Sequence, residues 1–510
     1  MASRRRPAGS LWLEANGRVM SRSGRRLMCG VLVVAALLVG LGGRAAASLS
    51  GPGATGPAAA PSGALRCTPQ HYRVRAGDTL SAIARRFNVT IGELAAANAL
   101  DPRAVLPVGL DLVIPQSVCP KPTAAFKEAP SRIAALAAPL ERAVATPGVS
   151  RTATGVVVVD LAADAVVYRL NPETPFEPAS TEKLPLATAA LQRLGAGFRT
   201  STNVLGEGKL VGSTWRGSLV LKGYGDPTLV TSGLRGLAHV VRRRGITTVT
   251  GRIVGDESYF DDARTAPGWK PSFAKNESPL LSALVVDRGL LDGASVNHPA
   301  LAAAILFTRA LQREGVSVAH EPTMGRASSR AAEIGRRASP PLITLLSRMD
   351  TWSDNFIAEM LLKELGARIG GHGTTRAGAR VVATTLAQNL IPLKGVRLVD
   401  GSGLSPLNRL TARTLAATLE TIAHTTALRR LLDTFAIAGS TGTLRHRLLG
   451  IPNHELVRGK TGTTDHSSAL AGFVGSRFAF AILCNGSPVD WNAAHLLQDR
   501  VAQALLAAAG

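Results

Sequence analysis

The sequence predicts an α/β (α+β) protein: an antiparallel sheet flanked by helices plus a helical lobe, with an inserted α/β subdomain, preceded by a small β-α-α-β domain. Three observations predict this. The chain has 510 residues, 45% of them hydrophobic and 18% charged, which is enough for two or three domains with cores. Both strand-like and helix-like periodicities occur along it. Two linker-like stretches, one Gly/Ala/Pro-rich and one containing Pro and Lys, divide a segment of about 50 residues from a larger one.

Composition and charge exclude several classes of protein. The 52 glycines and 29 prolines follow no collagen-like period, and no run of 18 or more apolar residues lies beyond residue 50, which excludes a collagen and a polytopic membrane protein. The net charge is +23; residues 1–47 carry eight arginines and one glutamate, so the remainder has +16. Such a surplus favours polyanions, among them wall polymers. No basic stripe is interleaved with aromatics, so no nucleic-acid partner is expected.

Residues 1–47 have the pattern of a signal peptide. Three arginines precede an apolar run at 29–41, and Ala45-Ala46-Ala47 follow as a small-residue cleavage site. The run is short for a bilayer span, so we expect cleavage and no transmembrane domain afterwards; an uncleaved anchor is the alternative. Met20 is an alternative start. The expected location is outside the cytoplasm, in the periplasm, the cell wall or the medium.

The small domain follows a linker at 48–66. Four segments supply its strands and helices with apolar residues at the expected periods: 72–74, 80–87, 91–95 and 110–114. Cys67 and Cys119 bracket the domain, and export places both in an oxidising compartment. A disulfide between them would constrain the unfolded chain by about 4 kcal/mol in the loop-entropy model. The predicted domain therefore spans 67–119.

This domain resembles the LysM family along about 45 residues, at positions 77–80, Asn98 and 114–115. The resemblance implies binding of glycan that contains N-acetylglucosamine, in a groove between the loop at 77–79 and the loop from Asn98 on. The implied glycan-binding residues are Gly77, Asp78, Thr79 and Asn98. The alternative is that Gly77 and Asp78 only form a turn and a helix cap.

The larger segment, 131–510, follows a second linker at 120–130 and carries the chemistry. Ser180 and Lys183 lie three residues apart at the predicted start of a helix, where side chains at i and i+3 share a face. A serine hydroxyl is a weak nucleophile without a nearby base, and a neutral lysine can serve as that base. The spacing alone is common in proteins of this size.

Two further motifs follow in order. Ser353-Asp354-Asn355 opens a helical pattern, and Lys460-Thr461-Gly462-Thr463 precedes two apolar segments, 468–475 and 477–484, typical of a strand edge and a hairpin. Each motif alone could have a purely structural role, with Ser353 as a helix cap and Lys460 as a solvated strand end. Together the three motifs resemble the signature of active-site-serine penicillin-recognising enzymes.

Three more stretches, 225–229, 255–261 and 400–405, look like the DacB-type D-Ala-D-Ala carboxypeptidase/endopeptidase family, the class C low-molecular-mass penicillin-binding proteins. The resemblance covers 131–510. It implies the penicillin-recognising serine transpeptidase/β-lactamase-like fold and a secreted hydrolase that acts through an acyl-enzyme on peptidoglycan stem peptides. It also implies β-lactam antibiotics as covalent inhibitors, and the LysM unit would target the enzyme to peptidoglycan strands.

The resemblance assigns roles by motif. The implied catalytic residues are Ser180 as nucleophile, Lys183 as its base, Ser353, Asn355 and Lys460, and the implied substrate-binding residues are Thr461, Gly462 and Thr463. A base at 183 must lose its proton near neutral pH, and a second cation at 460 in the same cleft disfavours its charged form. Backbone N–H groups of Ser180 and Thr463 would hold the oxyanion, worth about 3 kcal/mol per donor.

Two features, Pro185 and the spacing of the first two motifs, depart from the simplest form of the family pattern. Pro185 would remove the bond to the Thr181 carbonyl, which predicts a kink in the nucleophile helix. The 173 residues between Ser180 and Ser353 predict one inserted subdomain at about 203–340. No tight metal-ligand spacing occurs, so no metal and no cofactor are expected. Cys484 lies in an apolar strand as a buried small side chain.

Two other functions stay open. One is a wall-binding scaffold with an idle hydrolase fold, which the intact motifs oppose. The other is a β-lactamase, which needs fast deacylation; no Glu-x-x-Leu-Asn stretch of the kind that class A enzymes use is present.

Overall fold

A computed structural model gives the structure of the protein. It describes residues 131–509 and, in the small domain, 70–75, 78–87, 89, 91–98, 100–101, 106–107 and 109–114. The predicted signal peptide, the two linkers, Gly77 and the Cys67–Cys119 pair lie outside the described residues. Within the described ranges, no helix has both the length and the apolar character needed to cross a bilayer.

The small domain has the predicted β-α-α-β order. Its elements are β1 (Gln70–Arg73), α1 (Leu80–Phe87), α2 (Ile91–Ala97) and β2 (Asp111–Ile114). The two strands pair antiparallel, with Tyr72 opposite Leu112. The helices pack their apolar faces on this ribbon, and Leu94 and Leu112 are fully buried.

The larger region begins with a helix and a strand pair and then reaches the first motif. The elements are α3 (Ser131–Val144), β3 (Thr154–Asp160), β4 (Ala165–Leu170), a 3-10 turn at Ala179–Glu182 and α4 (Lys183–Leu194).

A second sheet and its helices come from residues 201–338. The strands are β5 (Ser201–Val211), β6 (Thr214–Gly223), β7 (Thr248–Val249), β8 (Ile253–Asp256), β9 (Leu290–Leu291), β10 (Ala294–Ser295), β11 (Ser317–Val318), β12 (Thr323–Met324) and β13 (Ala332–Ala338). The helices are α5 (Thr231–Arg243), α6 (Phe273–Asn276) and α7 (Pro299–Arg313). Within this part of the chain, β11-β7-β6-β5-β13 form the main path of a seven-stranded mixed sheet; β8 joins it through β6, and β12 joins through β8. β9 and β10 pair with each other as a separate two-stranded sheet.

The chain then returns to the helical lobe and the first sheet. The helices are α8 (Leu342–Trp352), α9 (Asn355–Arg368), α10 (Thr375–Gln388), α11 (Ala412–His424) and α12 (Trp491–Ala509). The strands are β14 (Ala436–Ile437), β15 (Val457–Thr463), β16 (Ser467–Val474) and β17 (Phe478–Asn485).

The antiparallel sheet of residues 154–485 has the order β14-β15-β16-β17-β3-β4 and separates two helical layers. Because side chains alternate across a strand, Val157 and Val159 face the cluster of α4, α8, α9, α10 and α11, while Val156 and Val158 face α3 and α12. The buried Cys484 belongs to this second layer, as predicted. The predicted α+β architecture is confirmed, and β15 lies beside the nucleophile turn.

Candidate active site

The first motif lies in a tight turn that aligns its two reactive side chains. Residues Ala179–Glu182 form a 3-10 turn, and the α-helix begins only at Lys183. Side chains at i and i+3 eclipse one another in a 3-10 turn, which places Lys183 Nζ 2.8 Å from Ser180 Oγ. Pro185 falls in the first turn of α4, where a missing N–H is tolerated. The predicted kink is therefore wrong: the proline coincides with the change from 3-10 to α geometry.

Lys183 has three polar neighbours, arranged around one nitrogen. Besides Ser180 Oγ, its Nζ contacts Asn355 Oδ1 at 2.8 Å and the Ser402 carbonyl oxygen at 2.5 Å. These two oxygens accept hydrogen bonds and cannot donate them. A neutral amine that gives one hydrogen to each must direct its lone pair at the Ser180 hydroxyl. The geometry therefore suits proton abstraction from Ser180.

Burial lowers the pKa of Lys183 to about 8, and the charges of Asp400 and Glu359 oppose that shift. The Lys183 side chain is completely buried. The sequence suggested the charge of Lys460 as the cause of a lowered pKa at Lys183, but the main cause in the structure is burial. The charge of Lys183 acts instead on Lys460, whose pKa burial lowers most and Lys183 lowers further. An amine with a pKa near 8 is partly neutral at physiological pH and can act as a base.

The second and third motifs meet through a single hydrogen bond. Lys460 Nζ donates to Ser353 Oγ at 2.9 Å and to the carbonyl of Thr461 at 2.7 Å. Ser353 ends α8 in the left-handed region, with φ of +62°, and Ala179 before the nucleophile has φ of +45°. Such backbone costs a non-glycine residue about 1–3 kcal/mol and is typical of functional sites.

The residues after Ser353 fix the start of α9. Asp354, not Ser353, caps the helix by accepting from the Ile357 N–H at 3.0 Å. Arg288 of the second sheet's region forms a two-pronged ion pair with Asp354, at 2.8 and 3.2 Å. Asn355 Nδ2 donates to the Glu277 carbonyl at 3.2 Å. Residues of the 201–338 region therefore border the second motif.

The third motif brings backbone close to the nucleophile. A Cβ on Gly462 would lie 2.8 Å from the Pro178 carbonyl and 3.1 Å from the Ser180 nitrogen. Glycine at this position lets β15 approach the turn, because any side chain would push the strand away. The two backbones are therefore near enough to present N–H groups to one substrate oxygen.

The loop at 400–405 is held by two buried carboxylates. Glu359 Oε1 accepts from the N–H groups of Gly401 at 2.9 Å and Ser402 at 2.7 Å. Asp400 accepts from five donors: Gly403 N, Ser405 N, Trp269 Nε1, Asn408 Nδ2 and Ser402 Oγ. Gly403 has φ of +83°, and a Cβ there would lie 1.9 Å from the Ala179 carbonyl. The loop thus packs directly on the nucleophile turn.

Other acids lie inside the site. Asp350 is buried and accepts from Thr434 Oγ1 at 2.7 Å; burial raises its pKa, and the charges of Lys460 and Lys183 oppose the rise. Burial also raises the pKa of Glu182 well above its ordinary value, with the Asp400 charge adding to the rise. Burial thus disfavours the charged form of Glu182, which precedes Lys183 in the chain.

Residues of the three motifs line a cleft of about 420 Å³. Trp352, 61% exposed, stands at its edge. The Thr461 hydroxyl donates to Thr443 Oγ1 at 2.7 Å. The lining includes members of all three motifs: Ser180, Ser353, Asp354, Asn355, Thr461 and Thr463. Across the described residues, no group of three or more His, Cys, Asp or Glu side chains is placed to hold a metal ion.

The predicted glycan residues have partners within the small domain. Asp78 accepts from the Tyr72 hydroxyl and the Arg75 N–H, both at 2.8 Å. Thr79 Oγ1 accepts from the Ala82 N–H at 3.2 Å at the start of α1. The geometry at Asp78 and Thr79 thus matches the turn-and-cap alternative.

Asn98 is used even more fully inside the small domain. Its amide donates to the carbonyls of Leu94 and Val113, both at 2.7 Å, and accepts from the Val113 N–H at 2.6 Å. The side chain joins α2 to β2, and both of its amide hydrogens are used in these hydrogen bonds. Asn98 is therefore a structural tie between the two elements.

Family models match both the larger region and the small domain. Residues 136–297 and 290–508 match the model of the D-Ala-D-Ala carboxypeptidase 3 (S13) family. The chain belongs to the S13 family. Residues 72–115 match the LysM domain model. The resemblances to DacB-type enzymes and to LysM are thus confirmed, and the larger region is a serine peptidase by family.

Relatives and solved structures agree with the S13 family. A carboxypeptidase of Mycobacterium tuberculosis is 33% identical, over 61% of this chain and 72% of that one. Carboxypeptidase DacB of Mycolicibacterium smegmatis is 32% identical, over 69% and 80%. The crystal structure of penicillin-binding protein 4 (dacB) from Haemophilus influenzae has a TM-score of 0.65 at 23% identity and covers 72% and 99% of the two chains. The last comparison confirms the fold.

Sequence reasoning found the three motifs of the S13 site but missed its supports. The Ser402 carbonyl contacts Lys183, and Glu359 and Asp400 hold the loop that carries it; none of the three was given a role from the sequence. A backbone carbonyl leaves no trace in residue type. Glu359 had a readable signal, because it lies four residues after Asn355 and so on the same helix face.

Proposed function

We propose that the protein is an exported serine-type D-Ala-D-Ala carboxypeptidase of peptidoglycan that acts through an acyl-enzyme on Ser180. One observation carries the proposal: Lys183 Nζ lies 2.8 Å from Ser180 Oγ while two carbonyl-type oxygens take its hydrogens. S13 family membership supports the substrate class. A DD-endopeptidase would use the same chemistry, since the two activities differ only in the amine that leaves the attacked carbonyl.

The first half of the reaction acylates the enzyme. Neutral Lys183 takes the proton of Ser180, whose oxygen attacks the carbonyl of the scissile peptide bond. Backbone N–H groups of Ser180 and Thr463 hold the oxyanion. The C–N bond then breaks, and Ser353, hydrogen-bonded to Lys460, relays a proton to the leaving amine.

Substrate binding falls to the remaining motif residues. Asn355 holds a substrate amide, and Lys460 with the hydroxyls of Thr461 and Thr463 holds the terminal carboxylate through charge-assisted hydrogen bonds. Gly462 keeps β15 close to the nucleophile turn, so that a peptide held beside this strand lies near Ser180. Water then attacks the acyl carbon and releases the shortened stem peptide with Ser180 restored.

The LysM match supports tethering to the wall. We propose that residues 1–47 direct export, 67–119 bind glycan strands with a Cys67–Cys119 disulfide, and 131–510 form the peptidase with its insert at about 203–340. Linkers at 48–66 and 120–130 join these parts. Tethering raises the local concentration of substrate without new catalytic contacts.

Labelled penicillin tests the proposal. The purified mature protein is incubated with the label, and the adduct is followed over time. We expect lasting stoichiometric labelling that vanishes in Ser180→Ala. No labelling of the wild type supports an idle scaffold, and rapid loss of the label with turnover supports a β-lactamase. Release of free D-alanine from a pentapeptide, against cleavage of a cross-linked dimer, then separates carboxypeptidase from endopeptidase.

A further inference from the structure

The reactivity of the base depends on a backbone carbonyl, and that carbonyl has its own support. The Ser402 oxygen lies 2.5 Å from Lys183 Nζ and 3.3 Å from Ser180 Oγ. If this oxygen moves, one hydrogen of the amine loses its acceptor and the lone pair is no longer aimed at the hydroxyl. The position of the peptide unit at 402 therefore matters to the reaction.

Glu359 holds the two peptide units that lead up to the Ser402 carbonyl, while Asp400 accepts from the Gly403 N–H of the carbonyl's own peptide unit. Glu359 Oε1 accepts from the N–H groups of Gly401 and Ser402, so the loop backbone is held between this carboxyl and the lysine. The side chain is completely buried in the middle of α9, the helix that also presents Asn355. One helix thus supplies Asn355 directly and Ser402 indirectly, which are both acceptors of Lys183.

The second carboxyl oxygen of Glu359 makes no hydrogen bond to the loop. Oε2 of Glu359 is buried and makes no hydrogen bond to any of the described residues, so one oxygen carries both contacts with the loop. The groups facing the carboxyl include Asp400, and burial together with the Asp400 charge raises the pKa of Glu359. A neutral acid fits this pattern: its carbonyl oxygen accepts twice, and no charge is required.

We propose that Glu359 is a positioning residue of the peptidase, which aims the lone pair of Lys183 at Ser180 by holding, through two backbone hydrogen bonds, the loop segment that carries the Ser402 carbonyl. It acts as a hydrogen-bond acceptor of fixed reach and not as a charge. This inference rests on the proposed acyl-enzyme function.

The acceptor role makes a conservative rescue possible. Glu359→Gln keeps an oxygen at the same reach, Glu359→Asp keeps the acid but shortens the side chain by one methylene, and Glu359→Ala removes the acceptor. Glu364 is the matched control, because it is a buried acid on the same helix that contacts Tyr259 and Arg368 instead of the 400–405 loop.

The experiment measures the rate of acylation by labelled penicillin in the full mature chain, from pH 6 to 9, together with thermal unfolding. We expect Glu359→Gln within about threefold of wild type and Glu359→Ala slower by about 100-fold, the loss that a displacement of about 1 Å can cause. Glu359→Asp should lie between them, Glu364→Gln should match wild type, and the pH midpoint of Glu359→Gln should move by less than a unit.

Several results would overturn the inference. Glu359→Ala acylating at the wild-type rate removes the positioning role. If Glu359→Gln is acylated more slowly than Glu359→Asp, or if its pH midpoint moves by a unit or more, Glu359 acts on the acylation rate through its charge. If Glu359→Ala does not fold, the comparison of Gln with Asp decides. If the wild-type protein takes no penicillin label, the proposed acyl-enzyme function is wrong. That result is distinct from a failure of the positioning role of Glu359.

Discussion

Ser353 Oγ accepts a hydrogen bond of 2.9 Å from Lys460 Nζ, and the serine holds this position from a left-handed backbone with φ of +62°. The relationship joins a hydroxyl at the end of α8 to an amine on β15. It places a proton donor at the cleft at the expense of local backbone strain.

Ser353→Gly should therefore separate activity from stability. Glycine adopts a positive φ freely, and the relieved strain of about 1 kcal/mol offsets the lost hydrogen bond of similar size. We expect the free energy of unfolding to stay within about 1 kcal/mol of wild type, while acylation slows by about 100-fold. Denaturant unfolding and penicillin labelling measure the two effects; an active Ser353→Gly enzyme would exclude the proton relay.

The rate of acylation should rise with pH up to about 8. Only neutral Lys183 can take the serine proton, and its pKa is about 8, so the neutral fraction grows about tenfold per pH unit below that value. At pH 6 the rate should be about one hundredth of its plateau. Single-turnover labelling between pH 5.5 and 9.5 measures this, with circular dichroism as the control for folding. A flat profile from 6 to 8 contradicts Lys183 as the base.

Gly403→Ala should disrupt the nucleophile turn. A Cβ at this glycine would lie 1.9 Å from the Ala179 carbonyl, so either the turn or the loop must move. Gly450 is the matched control, since its φ of +81° is similar and no atom lies within 4 Å of its added Cβ. Gly450→Ala should cost about 1 kcal/mol from backbone strain alone. Gly403→Ala should cost at least about 3 kcal/mol and abolish labelling, because its clash cannot relax. Equal costs for the two variants would show that the loop yields.

Removal of residues 67–119 should affect wall retention and not chemistry. The peptidase motifs all lie in 131–509, so hydrolysis of a soluble peptide should change less than about twofold, while retention on insoluble wall should fall through lost tethering. Ser180→Ala in the full chain is the converse control, retained but inactive. A large drop in the rate on soluble peptide would falsify the tether.

The reactive groups could be predicted from the sequence because the residue type determines the chemistry of a side chain. Ser180, Lys183, Ser353 and Lys460 were assigned by motif, and the structure places them within hydrogen-bonding distance in pairs. Their surroundings depend on tertiary contacts. The burial that lowers the pKa of Lys183 comes from elements far apart in the chain, and the sequence suggested a neighbouring charge in its place.

Local geometry was the second limit. Pro185 predicted a kink because the helix was expected to start at Ser180, which would place the proline inside it. The structure starts the α-helix at Lys183 and gives the preceding residues 3-10 geometry, so the proline lies in a first turn. Asn98 showed a similar limit: its residue type fits a glycan contact, but its amide joins two elements of its own domain.

The order of strands in the first sheet has a consequence for how activity arises during synthesis. β3 comes early in the peptidase region but pairs with β17, so that Val156 lies opposite Ile482. Pairings between such distant segments form late, after intervening parts have folded. A nascent chain that carries Ser180 but not yet β15 has its nucleophile without the strand that lines the cleft. We therefore expect no acylation by penicillin before the segment up to β17 has been made.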